Sequence, residues 1–132
     1  MRLEDYLITN NIHQYPLYSI GVNSNAYVFE DAIKIIGYAR DNIVPILGCD
    51  VYFIKNNEII IPEVFYGWYC DRKVYENLKD YVYRSCSEAM DFIESYISNE
   101  KGTPLFDVCL DETWMEKGEW AYEKDFKIAP PP

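Results

Sequence analysis

Apolar side chains recur at helical spacing between residues 76 and 98. Leu78, Val82, Cys86, Ala89, Ile93, Tyr96 and Ile97 fall on one arc, with Tyr81 and Phe92 at its margin. Glu76, Asp80, Arg84, Glu88, Asp91 and Glu94 fill the opposite arc, and at 100° per residue the two sets do not overlap. The pattern predicts a long amphipathic helix lying on a sheet, stopped by Gly102 and Pro104. A second helical pattern spans 29–39, where Ala32, Ile35, Ile36 and Ala39 share a face. Glu30 and Asp31 sit in its first turn, where carboxylates suit the helix dipole. A shorter helix is predicted over 3–12 from Leu3, Tyr6, Leu7 and Asn10, ended by Asn10-Asn11 ahead of Pro16.

Between these helices the pattern changes. Residues 46–54 (Ile-Leu-Gly-Cys-Asp-Val-Tyr-Phe-Ile) are almost continuously apolar, which predicts a strand covered on both faces. Asp50 stands inside it and must either reach a rim or find a partner that offsets its desolvation. Gly48, within the same strand, marks close packing. Asn56-Asn57 suits a tight hairpin turn at positive φ. Residues 58–64 then pair back, with Pro62 making the second half an edge or irregular strand. Residues 65–69 predict a third strand in which Gly67 permits a bulge or a close backbone approach. Residues 17–22 read as a short strand or extended arm, 23–25 as a polar break, and 105–110 as a final strand. Residues 111–132 form a polar tail carrying Trp114, Trp120, Tyr122 and Phe126, with 128–132 expected to be disordered. The sum is an α+β fold: one domain over 1–132, with a small, mostly antiparallel sheet against the long amphipathic helix and one or two shorter helices.

Composition sharpens this picture. The 132 residues include 13 Tyr, 6 Phe and 3 Trp, more tyrosine hydroxyls than a core of this size can partner. Some tyrosines are therefore expected on the surface, where Tyr is well suited to protein contacts. Twenty-two acids against 12 bases give a formal charge of −10, which argues against nucleic-acid binding and favours a basic partner. Residues 76–132 carry most of it, with 13 acids and 6 bases against 9 and 6 in residues 1–75. No apolar run is long enough to cross a membrane and the N-terminus lacks a signal-peptide layout, so a cytoplasmic protein without membrane contact is expected.

Candidate chemistry is sparse. Cys49, Cys70, Cys86 and Cys109 are widely spaced and read as buried free thiols. His13 is the single histidine, too little for a metal site or a nucleophilic triad, and is expected exposed or at a helix end. No metal or cofactor is implied. Asp50 and Asp71 flank the aromatic Trp68-Tyr69 and offer the alternative of a small carboxylate-dependent hydrolase. The same region reads equally as a binding surface, aromatic with a charged margin: Trp68, Tyr69, Asp71, Tyr75, Glu76 and Asp80. Against this, Trp68 reads also as a core residue and Asp71 as a cap or turn residue.

Several ordered segments resemble a known family. Ser19-Ile20-Gly21-Val22 precedes the first main helix, Asp31-Ala32 starts it, and Ile46-Leu47-Gly48-Cys49-Asp50-Val51-Tyr52 forms a central strand. Trp68-Tyr69-Cys70-Asp71 and Tyr81-Val82-Tyr83-Arg84-Ser85 follow. Together, over about residues 15–97, they resemble the immunity protein forty family of bacterial polymorphic-toxin systems. Cys49 departs from that pattern, where a second glycine is common, as does Gly67, where asparagine is common. The resemblance implies an α+β antitoxin that binds a cognate toxin one-to-one as a monomer and occludes it without catalysis. A non-toxin interaction module is the third reading.

Overall fold

The computed structural model describes residues 2–96 and 102–112. Its elements run α1 (Leu3–Thr9), β1 (Tyr15–Pro16), a 3₁₀ turn (Tyr18–Ile20), β2 (Asn25–Ala26), α2 (Phe29–Asp41) and β3 (Ile46–Lys55). They continue with β4 (Glu58–Ile60), β5 (Gly67–Tyr69), α3 (Leu78–Ser95) and β6 (Thr103–Leu110). The fold is α+β, as the hydrophobic pattern predicts.

Strand β3 organises the sheet. Antiparallel β6 pairs with one of its edges from Ile46↔Leu110 to Ile54↔Thr103, and the other edge is shared by β5 at residues 48–50 and β4 at residues 53–55. The Asn56-Asn57 turn between β3 and β4 has φ of 50° and 64°, the left-handed pair a two-residue hairpin requires. One bulge interrupts β3 between Ile46 and Gly48, which lets Ile46, Cys49 and Val51 all reach the main core.

Both faces of β3 are covered. Helices α1, α2 and α3 bury Leu7, Ile35, Ile36, Val82, Ala89 and Ile93 against Cys49, Val51, Phe106 and Val108. Ser85, on the buried arc of α3, accepts a hydrogen bond from the Ile46 amide at 3.1 Å and donates to the Val82 carbonyl. A second, smaller cluster forms on the other face, where Leu17 and Ala26 cover Tyr52 and Leu105. That cover is neither the short strand nor the extended arm expected over 17–22. The chain wraps around Leu17 instead: its carbonyl accepts from the Ile20 and Val22 amides, and its amide donates to Ser24 O. β1 and β2 pair on either side of this loop, and Tyr27 bonds both ways with Phe106, closing the outer edge of β6.

Element ends depart from the sequence reading in several places, among them β5, which starts at Gly67 and not at residue 65, and α2, which runs on to Asp41. α1 stops at Thr9, before Ile12, and β4 ends at Ile60, ahead of Pro62. α3 starts at Leu78 because Asn77, with extended backbone, caps it by accepting from the Asp80 amide at 2.8 Å. Pro104 lies within β6, opposite Phe53, so that strand begins at Thr103. The expectations for the acidic aromatic tail beyond residue 112, and for Ile97 and Ser98, fall outside the described residues. Among the described residues no helix is long and apolar enough to cross a membrane.

Candidate functional site

The aromatic-acid segment 68–80 is built by one cation. Arg84, on the second turn of α3, donates to both carboxylate oxygens of Glu76 at 2.7 and 2.8 Å and to Glu88 at 2.9 Å. It also reaches the Asp71 carbonyl at 2.6 Å and the Cys70 sulfur at 3.0 Å, and lies over the Tyr81 ring. Glu76 accepts in addition from the Lys73 amide, and the Tyr81 hydroxyl donates to Cys70 O at 2.7 Å. The bonds from Arg84 hold the Glu76 carboxyl below the usual glutamate range. Segment 70–77 is thereby fastened to α3 at four points, with Tyr75 at φ 70°.

This places the predicted contact residues in two groups. Tyr69, at the end of β5, and Asp71, Tyr75 and Asp80, ahead of and at the start of α3, are each exposed. Trp68 and Glu76 are not presented in the same way. Trp68 alternates to the helix side of β5, is half-buried against the main core and stacks on Phe92 at 6.5 Å. The Glu76 side chain is 9% exposed and held by Arg84.

Asp50 and Asp71 are not brought together. Asp50 pairs in register with Gly67, and Asp71 lies four residues further on, about 13 Å along an extended chain. The residue opposite Asp50 is Asp107, in the stretch expected as the final strand, to which the sequence reading gave no role. Asp50 is half-buried and accepts from the exposed Tyr69 hydroxyl at 3.3 Å; Asp107 is buried and accepts from Ser24 Oγ at 2.8 Å. Asp50 thus both reaches a rim and finds a partner. Burial pushes both carboxyls above the usual aspartate range.

The consequence is testable. A carboxyl raised on folding contributes most below its unfolded value, 3.8 for Asp107, and loses that contribution as pH rises through its folded pKa. Asp107→Asn keeps an acceptor for Ser24 and removes the buried charge. It is expected to raise the melting temperature by about 3 °C at pH 7 and to change it little near pH 3. An unchanged or lower melting temperature at pH 7 would contradict this reading of the pair.

The cysteines carry no activated thiol. Cys49, Cys70 and Cys86 are buried, whereas Cys109 is only half-buried, contrary to expectation, because its partner across the strands is Gly48, which has no side chain to cover it. Burial pushes all four thiols up, Cys109 to about 12 and Cys86 to about 11, the opposite of what a nucleophile requires. His13 is exposed just beyond α1, its ring edge-on to Tyr15. No grouping of three or more His, Cys, Asp or Glu able to hold a metal occurs among the described residues.

What the sequence reading missed is apolar. Ile61, Val64, Phe65 and Tyr66, between β4 and β5, are exposed alongside Tyr69. Pro62 is buried among them and ends the ladder, so neighbouring apolar residues turn outward. The signal was available: Ile61 and Val64 flank a proline in a stretch expected to be an edge or irregular strand, and the large apolar Phe65 and Tyr66 follow directly.

No curated protein and no solved structure matches the chain. The family model described as Immunity protein 40 matches residues 16–110, from the Leu17 loop to the end of β6, and so takes in the whole sheet, α2, α3 and the Arg84 clasp. That span is well over half of the sequence, and the chain belongs to the Immunity protein 40 family.

Proposed function

We propose that this protein is the antidote to a toxin made by the same cell, and that it inactivates that toxin by covering it, one molecule to one, without turnover. Family membership is the observation that carries this reading. The chemistry of the surface supports it. Tyr69, Tyr75, Asp71 and Asp80 are exposed, and Arg84 holds the Asp71 carbonyl within this stretch of chain. Rigid aromatics flanked by carboxylates lose little entropy on binding and complement a basic face. A toxin that grips phosphate or another anion needs such a face, and the formal charge of −10 steers it in. The antidote acts in the cytoplasm, where the producing cell is at risk.

The experiment is rescue. The toxin gene adjacent to this one is induced in a bacterial host with and without this protein. Survival only with the antidote is expected, along with co-purification of the two chains. Killing that this protein does not relieve would remove the reading. A hydrolase would lose its effect on Asp50→Asn, whereas an antidote acting by cover is expected to keep rescuing.

A further inference from the structure

We propose, building on the antidote reading, that the toxin sets one arginine side chain over Asp50 and Asp107, between the rings of Tyr69 and Phe65. The site is the part of the outer sheet face that the Leu17 loop leaves uncovered.

Strand register assembles this site. Asp50 of β3 stands opposite Asp107 of β6 on one side and Gly67 of β5 on the other, while Gly48 stands opposite Cys109 and Tyr69. By alternation these residues share the face of Tyr52 and Leu105. The Leu17 loop covers Tyr52 and Leu105 and reaches Asp107 through Ser24. Past Asp50 the face is open, with Tyr69 69% exposed and Phe65 54%. Two glycines let both rings lie down on the sheet. A Cβ at Gly48 would meet the Tyr69 ring at 3.0 Å, and one at Gly67 would meet Asp50 Oδ1 at 2.7 Å and the Phe65 ring at 2.9 Å. Asp50 is thus flanked by two aromatic rings, and the Tyr69 hydroxyl donates to it at 3.3 Å.

No cation neutralises either carboxylate among the described residues. Their side-chain contacts are the Tyr69 hydroxyl on Asp50, and Ser24 Oγ and Cys109 Sγ on Asp107 Oδ1. Asp107 is only 4% exposed, yet its Oδ2 accepts from no described group. Nearby cations are engaged elsewhere: Lys55 stands across from Glu58, and Arg84 holds Glu76 and Glu88. Cross-strand partners lie about 5 Å apart at Cβ, where like charges repel. Burial raises both carboxyls and the Asp50 charge raises Asp107 further, so folding leaves a repulsion that a cation between them relieves. The flanking rings select arginine. A guanidinium is planar, forks onto carboxylates and stacks on aromatic faces, which a compact ammonium does less well. A toxin face that grips an anion supplies such a side chain, whereas a second copy of this chain, at a formal charge of −10, is repelled.

The probe is the purified toxin domain encoded by the adjacent gene, titrated calorimetrically and by surface-immobilised kinetics at low and high salt. Asp50→Asn with Asp107→Asn is expected to weaken binding roughly 30-fold or more at either salt, chiefly through faster dissociation. Asp91→Asn with Glu94→Gln removes two exposed charges from α3 and is expected to slow association at low salt only. Because Asp107→Asn is expected to melt higher than the parent protein, a weaker complex from a more stable antidote separates lost contact from a damaged fold. Phe65→Ala with Tyr69→Ala, which keeps both carboxylates, is expected to lose about tenfold independently. Asp50→Asn alone leaves Asp107 to hold the cation and is expected to cost about fivefold, which an antidote in excess still rescues. Each variant is first checked for folding by its melting curve. Unaltered affinity in the folded carboxylate pair or the folded aromatic pair, with the parent protein binding, overturns the site and leaves the antidote reading standing. So does a high-salt loss in the carboxylate pair no larger than that of the α3 control. Failure of the parent protein to bind overturns both. A dimer by light scattering that the carboxylate pair dissolves would assign the face to a second copy, and overturn the proposal.

Discussion

Replacing Arg84 with alanine is expected to cost about 3 kcal/mol, the removal of one partner from a largely buried ion pair. Glu76 would retain only the Lys73 amide as a donor, in a site where its side chain is 9% exposed. The bond to Glu88 adds little, because that carboxylate is 42% exposed and solvent screens it. Lost hydrogen bonds to Asp71 O and the Cys70 sulfur, and the vacated space over Tyr81, make up the rest. For a chain of this length the melting temperature should fall by about 10 °C. The pH dependence has a definite sign. Because the folded Glu76 carboxyl sits below its ordinary value of 4.5, its contribution is fully present above that pH and is lost as pH falls through the folded pKa. The gap between the parent protein and Arg84→Ala is therefore expected to narrow in melts taken below pH 4. A loss under 1 kcal/mol at pH 7 would mean that the clasp is ornamental. Arg84→Met with Glu76→Leu, which removes both charges, is expected to recover part of the loss.

The second large effect concerns Gly48. A Cβ at that position would lie 2.6 Å from the Trp68 carbonyl oxygen and 3.0 Å from the Tyr69 ring. The first obstacle is backbone, so β5 itself has to move. Gly48→Ala is expected to destabilise by about 3 kcal/mol, in the range of overpacked cores, and to weaken toxin binding through displacement of Tyr69. Gly67→Ala is the contrasting case. Its Cβ would meet Asp50 Oδ1 at 2.7 Å and the Phe65 ring at 2.9 Å, both side-chain atoms that can swing away. A cost of about 1 kcal/mol is expected there. Urea unfolding of the two variants side by side gives the comparison, and equal losses would show that the strand pair is not as tight as the backbone contact requires.

The elements that were legible in the sequence are those in which one physical rule dominates. The amphipathic arc of α3 and the face of α2 follow from helical periodicity, and Asn56-Asn57 from the need for positive φ in a two-residue turn. Gly48 was readable as a mark of close packing, and Gly67 as one of the two readings offered for it. What escaped depends on long-range placement. Residues 17–22 read as a short strand or extended arm, yet Leu17 is drawn into the second core and the chain turns around it. Asp107 acquires its place only through pairing with β3, which sets it opposite Asp50. Arg84 was placed on the solvated arc of its helix, which is correct as geometry. Its role came from Glu76 and Asp71, brought to it by a loop whose path no local pattern specifies. Of the surface residues singled out by sequence, Tyr69, Asp71, Tyr75 and Asp80 are each exposed, while Trp68 serves the packing of β5 on α3 and Glu76 is held by Arg84.

Stoichiometric cover and enzymatic destruction of a toxin differ in one number. Increasing amounts of this protein are added to a fixed concentration of the purified toxin domain, well above the dissociation constant, and residual toxin activity is recorded. A straight decline to zero at one equivalent, with intact toxin recovered on denaturing the complex, is the expected result. Loss of activity that deepens with time at a tenth of an equivalent, or cleaved or altered toxin in the mixture, would contradict it.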